Sequence, residues 1–393
     1  MPETVGSRTI LLDLNVENTQ SLLLEPAFNY DNPIQRQIGA ARFVFGRDKY
    51  RMLHMSKPGN MLAPRSNCDT WNPTVRVGLR PDEIAVCDFE LNGEQCNDEF
   101  EEGCLRNIGV GPNPSSPGNP NTPELNAIEG AIVSQVRSGL TDDIYKIAWF
   151  GDTAFSGTYD LNHLNNDHRN NIETMLDTCD GWWKELRART TTTNVAQKVV
   201  GVDSNGGTAA TNALLPANIT DFLKQMRLSS NPILRFWNLN KPISERPIYM
   251  LQSGLFNALE EFYENTGTSE AHQFIIDGAP VPGILTFNGF LVVQVAEWDM
   301  FDNEIGNIQT TGTWAGQSKT QRALFIAREN LTGVANVQSI ENYPGSGLVI
   351  QRSPYIKDKG KLAMFARLGL GFGIAAPQLV TVGYNSSTTY AAT

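Results

Sequence analysis

Apolar residues recur at helical spacing in one long segment of the 393-residue chain. The intervals of three and four residues are those of one helix face, at Leu125, Ile128, Ile132, Val136 and Leu140. Thr122 and Pro123 precede this run as an N-cap and a first helical residue. The pattern predicts a helix over 122–140, with Gly139 near its end, and a strand over 143–149.

Shorter patterns in the second half of the chain predict a mixture of helices and strands. The expected helices are 167–179, 182–189, 216–227 and one from Ser253 that stops before Gly267. The expected strands are 247–251, 321–328, 347–351 and 361–382, with a loop or weak edge strand within 190–214. Asn288-Gly289 separates two apolar runs, 284–287 and 290–298, and predicts a β-hairpin. Because strands and helices do not alternate regularly, we expect an α+β fold.

The first half of the chain is uneven in charge and rich in turn residues. Residues 1–35 are leucine-rich pieces broken by prolines, which predicts an extended arm that needs another surface to lie on. Residues 35–65 hold seven Lys and Arg against one Asp, whereas 82–104 hold nine carboxylates and no Lys or Arg. Strand-like pieces in both segments flank a tip rich in Pro, Gly and Asn, which predicts a projecting two-stranded hairpin.

The two charged limbs have two interpretations. They pair with each other on a solvated surface, or they contact neighbouring copies of the chain, since a lone ribbon is marginal in water. The candidate contact residues are Arg42, Arg47, Lys49, Arg51, Lys57, Glu94, Asp98, Glu99, Glu101 and Glu102.

The composition of the chain excludes several classes of function. A net charge of −11 argues against a protein whose main work is gripping phosphate backbones, so contact with DNA is expected to be weak and non-specific. No secretory signal and no apolar stretch of membrane-spanning length is present in the sequence, so we expect a soluble protein made in the cytosol, with no membrane partner. Five scattered cysteines predict reduced thiols.

The candidate enzyme and metal motifs are weak. Gly369, Gly371 and Gly373 lack the downstream βαβ unit of a nucleotide loop and are better explained as strand positions that another backbone approaches closely. Cys87, Cys96 and Cys104 lack the paired spacing of zinc ligands. We therefore expect no catalytic residue, no cofactor, no metal and no enzyme activity.

Several segments together resemble a major capsid protein of a tailed bacteriophage with the Hong Kong phage fold. Residues 122–140 resemble its spine helix, and Ala148-Trp-Phe-Gly-Asp152 the turn after it. The run from Arg246 into 254–264 resembles the strand and helix of its axial domain, and 283–298 that domain's central hairpin. Residues 361–377 are similar to the closing strand of the peripheral domain.

The resemblance implies a division of the chain. It implies an N-terminal arm over 1–35, an E-loop over 36–92, a peripheral domain over 93–160 and 345–393, and an axial domain over 161–344. It also implies hexamers and pentamers in an icosahedral or prolate shell around double-stranded DNA. Portal, scaffolding and auxiliary capsid proteins are the implied partners, the virion is the implied location, and assembly is implied in the host cytoplasm.

Two alternatives remain open at this point. An encapsulin-like cellular nanocompartment has the same fold, and a cargo gene rather than a portal gene beside it would distinguish that case. A cytosolic hydrolase using an Asp/His pair such as Asp167 and His168 is the alternative from a different class of protein.

Overall fold

The structure is a computed structural model that describes residues 10–24, 39, 41–46, 49–55, 79–96, 127–155, 157–159, 172–190, 198–202, 216–236, 241–276, 279–301, 309–312, 321–341, 344–352 and 361–385. Its strands are β1 (Ile10–Asn15), β2 (Ala41–Phe45), β3 (Lys49–Met55), β4 (Leu79–Ala85), β5 (Cys87–Cys96), β6 (Gly157–Tyr159), β7 (Lys198–Val202), β8 (Ile248–Leu251), β9 (Gln273–Ile276), β10 (Ala279–Phe287), β11 (Phe290–Gln294), β12 (Gln309–Gly312), β13 (Gln321–Ile326), β14 (Leu331–Gln338), β15 (Ser346–Arg352), β16 (Lys361–Ile374) and β17 (Val380–Asn385).

The α-helices are α1 (Val16–Thr19), α2 (Ala127–Phe150), α3 (Trp182–Thr190), α4 (Pro216–Ser229), α5 (Pro232–Phe236), α6 (Ser253–Asn265), α7 (Ser269–His272) and α8 (Glu297–Phe301). Residues 172–176 are also helical. A π-helical turn spans Gln20–Leu24, and 3₁₀ turns span Ile243–Glu245 and Pro377–Leu379.

Two sheets organise these elements. The first sheet has the order β1-β15-β16-β14-β2, with β5 paired to β16 as well. The second sheet has the order β7-β17-β13-β8-β11-β10-β9. The pairs β2/β14, β8/β11 and β7/β17 are parallel, and the other pairs of these two sheets are antiparallel.

The main core lies between the two sheets. Alternate residues of β16 and one face of the second sheet pack there with the end of α2 and with α3. Trp149, Trp182, Trp183 and Trp298 meet at its centre, each at most 2% exposed. The other face of the second sheet packs on α4 and α6. The strands β8, β11 and β13 therefore contribute alternate side chains to two different cores.

Most of the predicted elements are present, and the α+β class is confirmed. The two-residue turn is confirmed by the left-handed backbone of Asn288 and Gly289, with φ of 49° and 80°. The weak edge strand expected within 190–214 is β7, at one edge of the second sheet.

Three predicted elements are wrong in extent or kind. Residues 143–149 are the end of α2 and not a strand, because Ile144, Ile147 and Ala148 continue the helical period into the core. The run 290–298 ends as a strand at Gln294, and Trp298 lies on α8. The run 361–382 is two strands, because the turn at Pro377 sends the chain from the first sheet to the second.

The expectation of reduced thiols is also wrong for one pair of cysteines. Cys87 and Cys179 form a disulfide between β5 and the segment that precedes α3. Their sequence separation of 92 residues explains why spacing gives no sign of the pairing.

Two strands belong to a different sheet from the rest of the domain that was expected to contain them. The strand β14 lies inside the range expected for the axial domain but pairs with β16 in the first sheet. The strand β17 lies inside the range expected for the peripheral domain but pairs with β13 in the second sheet. The domain boundaries themselves stay predictions.

Candidate functional site

The predicted charged hairpin is present as the pair β3 and β4. The two strands are antiparallel in register from Lys49 opposite Ala85 to Met55 opposite Leu79. Its tip, 56–78, lies outside the described residues. The flanking strands β2 and β5 belong to the first sheet rather than to the hairpin. The described hairpin is therefore shorter than the sequence predicts.

At its base, alternation gives the hairpin one apolar and one charged face. Met52 and Ile84 are 8% and 5% exposed and pack beside Val334 of the first sheet. Arg51 and Glu83, directly opposite each other in the register, are exposed. The base of the hairpin is thus docked on the first sheet through a small apolar contact.

Glycines on β16 make room for that docking. Gly369, Gly371 and Gly373 alternate with core residues, so all three lie on the face of the strand that receives the hairpin. A Cβ on Gly371 would collide with the carbonyl oxygen of Ala85, and one on Gly373 would lie 2.7 Å from the Ile84 side chain. The predicted close approach of another backbone is confirmed at Gly371, whereas side chains approach Gly369 and Gly373, and all three glycines lie within a continuous strand.

The charged face is paired within the chain. The Glu83 carboxylate lies 3.1 Å from Lys49 Nζ and accepts a hydrogen bond of 3.1 Å from Arg51 Nε. The hydrogen bonds from Lys49 and Arg51 lower the pKa of Glu83. All three side chains are open to solvent, so the pairing itself contributes little to stability. Both cations remain accessible for a contact with another molecule.

The structure locates only part of the predicted contact set. Arg42, Lys49 and Arg51 lie on β2 and β3 and are exposed, and Glu94 lies on β5. The other members, Arg47, Lys57, Asp98, Glu99, Glu101 and Glu102, fall outside the described residues.

The acidic strand β5 has a basic partner, Arg367, that the sequence does not indicate. Arg367 of β16 donates a hydrogen bond of 2.9 Å to Glu90 of β5, and its guanidinium lies 3.5 Å from Glu341. The register that sets Arg367 opposite Glu90 explains this pair, and no local pattern in the sequence indicates it.

A partly buried ion cluster fixes the turn after α2, where the sequence reads Ala148-Trp-Phe-Gly-Asp152. Lys184 Nζ lies 2.6 Å from Asp152 and 2.8 Å from Asp180, and it donates a hydrogen bond of 2.7 Å to Thr153. Gly151 and Gly181 let the two backbones touch, with the Gly181 amide donating to the Gly151 carbonyl at 2.8 Å. The long helix is thereby held to α3.

Protonation states in this cluster follow from its geometry. Burial acts to raise the pKa of Asp180, but hydrogen bonds from Lys184 and Thr153 outweigh it and hold that pKa below the ordinary 3.8. Burial acts to lower the pKa of Lys184, but Asp152 and Asp180 raise it above the ordinary 10.5.

We expect Lys184→Met to destabilise the unassembled chain at neutral pH by about 2 kcal/mol, because it leaves Asp152 buried without its cation. The wild-type free energy of unfolding should fall as pH drops below 3.8, since a carboxyl with a depressed folded pKa loses its contribution on protonation. That fall should be shallower in Lys184→Met. Urea unfolding at several pH values measures both effects.

The control is Lys224→Met, because Lys224 pairs with Asp221 at 3.2 Å on an exposed surface. Its cost should stay below about 0.5 kcal/mol at every pH. Equal losses in the two variants would show that the partly buried ion cluster adds nothing beyond a surface pair.

The candidate residues for catalysis and metal binding lie partly outside the described residues. Asp167, His168 and Cys104 fall outside the described residues. Within the described ranges, no three His, Cys, Asp or Glu side chains are grouped as a metal site. His272 stacks on Tyr263 with ring centroids 3.9 Å apart, and its Nδ1 lies 3.1 Å from the Thr286 carbonyl oxygen. No described helix is long and apolar enough to span a membrane.

The fold is similar to that of solved phage capsid proteins. No protein-family model and no curated protein sequence matches the chain. Among solved structures, a cyanophage Pam1 capsid chain aligns with a TM-score of 0.50 and 12% identity over 87% of this chain and 85% of that one. A chain from the capsid of a native GTA particle aligns at 0.48 and 11% over 90% of both chains, and one from the satellite phage P4 procapsid at 0.48 and 11% over 93% and 90%. The alignment with Pam1 shows that the chain has the phage capsid fold, which confirms the predicted Hong Kong phage-type architecture.

Proposed function

We propose that this chain is the structural subunit of a phage capsid shell, assembling as hexamers and pentamers around double-stranded DNA. The observation that carries the proposal is the fold shared with the Pam1 capsid chain over most of both chains. Shell building needs no catalytic group, and the chain acts through its surfaces.

The hairpin supports this role physically. Within the described ranges, β3 and β4 pair only with each other, and Met52 and Ile84 supply the buried contact with the first sheet. An isolated two-stranded ribbon is marginal in water, so contact with a neighbouring subunit would stabilise the hairpin. In this proposal the hairpin is the E-loop, and residues 1–35 form the arm.

The charge distribution supports weak contact with packaged DNA. The net charge of −11 disfavours tight binding to phosphates, so the shell encloses the DNA without holding it. Portal, scaffolding and auxiliary capsid proteins are the proposed partners, and the virion is the proposed location, after assembly in the host cytoplasm.

Analytical ultracentrifugation of the purified chain, expressed alone and with a co-expressed scaffolding protein from its gene neighbourhood, tests the proposal. We expect rings, sheets or shells that sediment as multiples of five or six copies. A chain that stays a compact monomer at high concentration in both preparations would contradict it.

Charge reversal on the hairpin tests whether neighbours contact the basic limb. We expect Lys49→Glu with Arg51→Glu to reduce the yield of assembled particles by about tenfold or more, because like charges brought together at a contact cost several kcal/mol. Monomer solubility should not fall, since the net charge becomes more negative. Particle yield by sedimentation and soluble monomer by light scattering are the two measurements.

A triple variant separates the two interpretations of the limbs. Adding Glu83→Lys to the double variant restores pairing within the hairpin but keeps the outer face altered. If neighbouring subunits contact the basic limb, the particle yield of the triple variant stays low. Normal particle yields from the double variant, or full recovery in the triple variant, would show that the limbs serve only each other.

A further inference from the structure

Two cysteines from distant parts of the chain meet beside the base of the hairpin. Cys87 is the first residue of β5 and is separated from the end of β4 by one residue, and Cys179 lies just before α3. Their disulfide ties the strand that leads out of the hairpin to the segment that anchors the end of α2. The bond thus joins the base of the hairpin to the body of the subunit, two parts that are 92 residues apart in sequence.

The surroundings of Cys179 can accommodate a reduced thiol as well as a disulfide, because a hydrogen-bond acceptor lies beside the sulfur. Its side chain is 3% exposed, and its Sγ lies 3.3 Å from the carbonyl oxygen of Leu370. Leu370 is also the residue opposite Cys87 in the pairing of β16 with β5. A reduced Cys179 therefore donates its S–H to Leu370 and leaves no buried polar group unpaired. Opening the bond therefore leaves the Cys179 thiol beside a hydrogen-bond acceptor.

The pair lies beside an open groove, and Cys87 is its more exposed member. An open groove of about 530 Å³ lies between β5, α2 and residues 172–178, and its lining includes Asp88, Thr178 and Leu370. Asp88 and Thr178 are the chain neighbours of Cys87 and Cys179. Cys87 is itself partly exposed. A small thiol or disulfide in solution therefore reaches Cys87 before Cys179.

We propose that Cys87 and Cys179 form a reversible redox link that fixes the base of the hairpin to the body of the subunit. The bond stays open in a reducing compartment and closes by exchange with a low-molecular-weight disulfide in an oxidising one. The link is a property of the single chain and holds whether or not the chain forms a shell.

The exchange balances in two steps. The Cys87 thiolate attacks one sulfur of the small disulfide, which forms a mixed disulfide and releases one small thiolate. The Cys179 thiolate then attacks the Cys87 sulfur, which closes the protein disulfide and releases the second small thiolate. The two cysteine protons end on the two released thiols, so two cysteines are oxidised and one small disulfide is reduced.

Thiol counting and thermal unfolding on the unassembled full chain test the proposal. The chain is treated with glutathione disulfide or with a phosphine reductant, and free thiols are counted after denaturation. We expect two fewer free thiols after oxidation than the five of the reduced chain. The unfolding midpoint of the oxidised chain should be higher by about 5 °C or more, because the link closes a long loop in the unfolded chain.

Three variants locate the effect. In Cys87→Ser and Cys179→Ser, oxidation should leave the unfolding midpoint unchanged, whereas Cys96→Ser, on the same strand as Cys87, should keep the full shift. Five free thiols after oxidation, an unchanged wild-type midpoint, or a shift that survives in Cys87→Ser would overturn the proposal. Because the chain is unassembled, none of these outcomes depends on shell formation.

Discussion

Trp182→Ala should destabilise the unassembled chain by about 4 kcal/mol, the loss typical of a buried aromatic side chain replaced by alanine. Trp182 is 2% exposed and packs edge-on against Trp149 and Phe372, with ring centroids 4.8 and 5.5 Å apart. Its indole N–H donates to the carbonyl oxygen of Thr332 at 3.2 Å. This one side chain joins α3, the end of α2 and the first sheet. Urea unfolding followed by tryptophan fluorescence and circular dichroism measures the loss.

A pair of phenylalanine variants separates packing from hydrogen bonding. Trp149 is equally buried, but its indole nitrogen has no hydrogen-bond partner in the described part of the chain. Trp149→Phe removes ring area alone, whereas Trp182→Phe also removes the bond to Thr332. We expect Trp182→Phe to cost about 1 kcal/mol more. A cost of Trp182→Ala below that of an ordinary surface substitution would contradict the position of this core.

Gly371→Val should displace the base of the hairpin and destabilise the chain by about 3 kcal/mol, at the upper end of ordinary overpacking costs. The added Cβ would meet the carbonyl oxygen of Ala85 and lie 3.1 Å from Ile84 Cγ2. A backbone carbonyl cannot rotate away as a side chain does, so β4 itself must move. Because assembly depends on the hairpin in our proposal, particle yield should fall further than stability alone explains.

Two substitutions calibrate this result. Gly371→Ala should show a smaller effect in the same direction. Gly139→Val adds the same side chain on α2 at a site where nothing lies within 4 Å of the new Cβ, and it should be tolerated. Hydrogen exchange of β3 and β4 amides reports whether the hairpin has moved. Unchanged protection and normal particle yield in Gly371→Val would contradict the docking seen here.

Local patterns were sufficient where the structure is local. The period of α6 and the Asn288-Gly289 turn each depend on residues that are neighbours in sequence, and both are found as expected. The glycines of β16 could be assigned to a close backbone approach because a strand interior otherwise disfavours glycine. Their partner, the base of β4, could not be named from the sequence.

The helix over 143–149 was missed because its Ile, Tyr and Trp residues favour a strand, although Ile144, Ile147 and Ala148 continue the helical period of Leu140. The missed pairings depend on contacts distant in sequence. The parallel pairing of β2 with β14 joins segments almost 300 residues apart, and the Cys87–Cys179 bond spans 92. No repeat or motif marks such pairings.

Charge predicted the candidate contact surface, and the register of β3 with β4 shows which of its charges are paired within the chain. Opposite charge on the two limbs indicated a surface of interest, but charge alone does not distinguish pairing within one chain from contact between chains. The register places Arg51 opposite Glu83, so part of the charge is paired inside the hairpin. The exposed Arg42 on β2 is part of the charge that stays available for a neighbouring copy of the chain.

Cryo-electron microscopy of the particles formed by the expressed chain tests the central proposal most directly. We predict closed shells built from five- and six-fold rings, in which each subunit density contains the two sheets, the long helix Ala127–Phe150 and a hairpin that lies on the adjacent subunit. A monodisperse monomer, or an assembly whose subunits leave the hairpin free of any neighbour, would contradict the account.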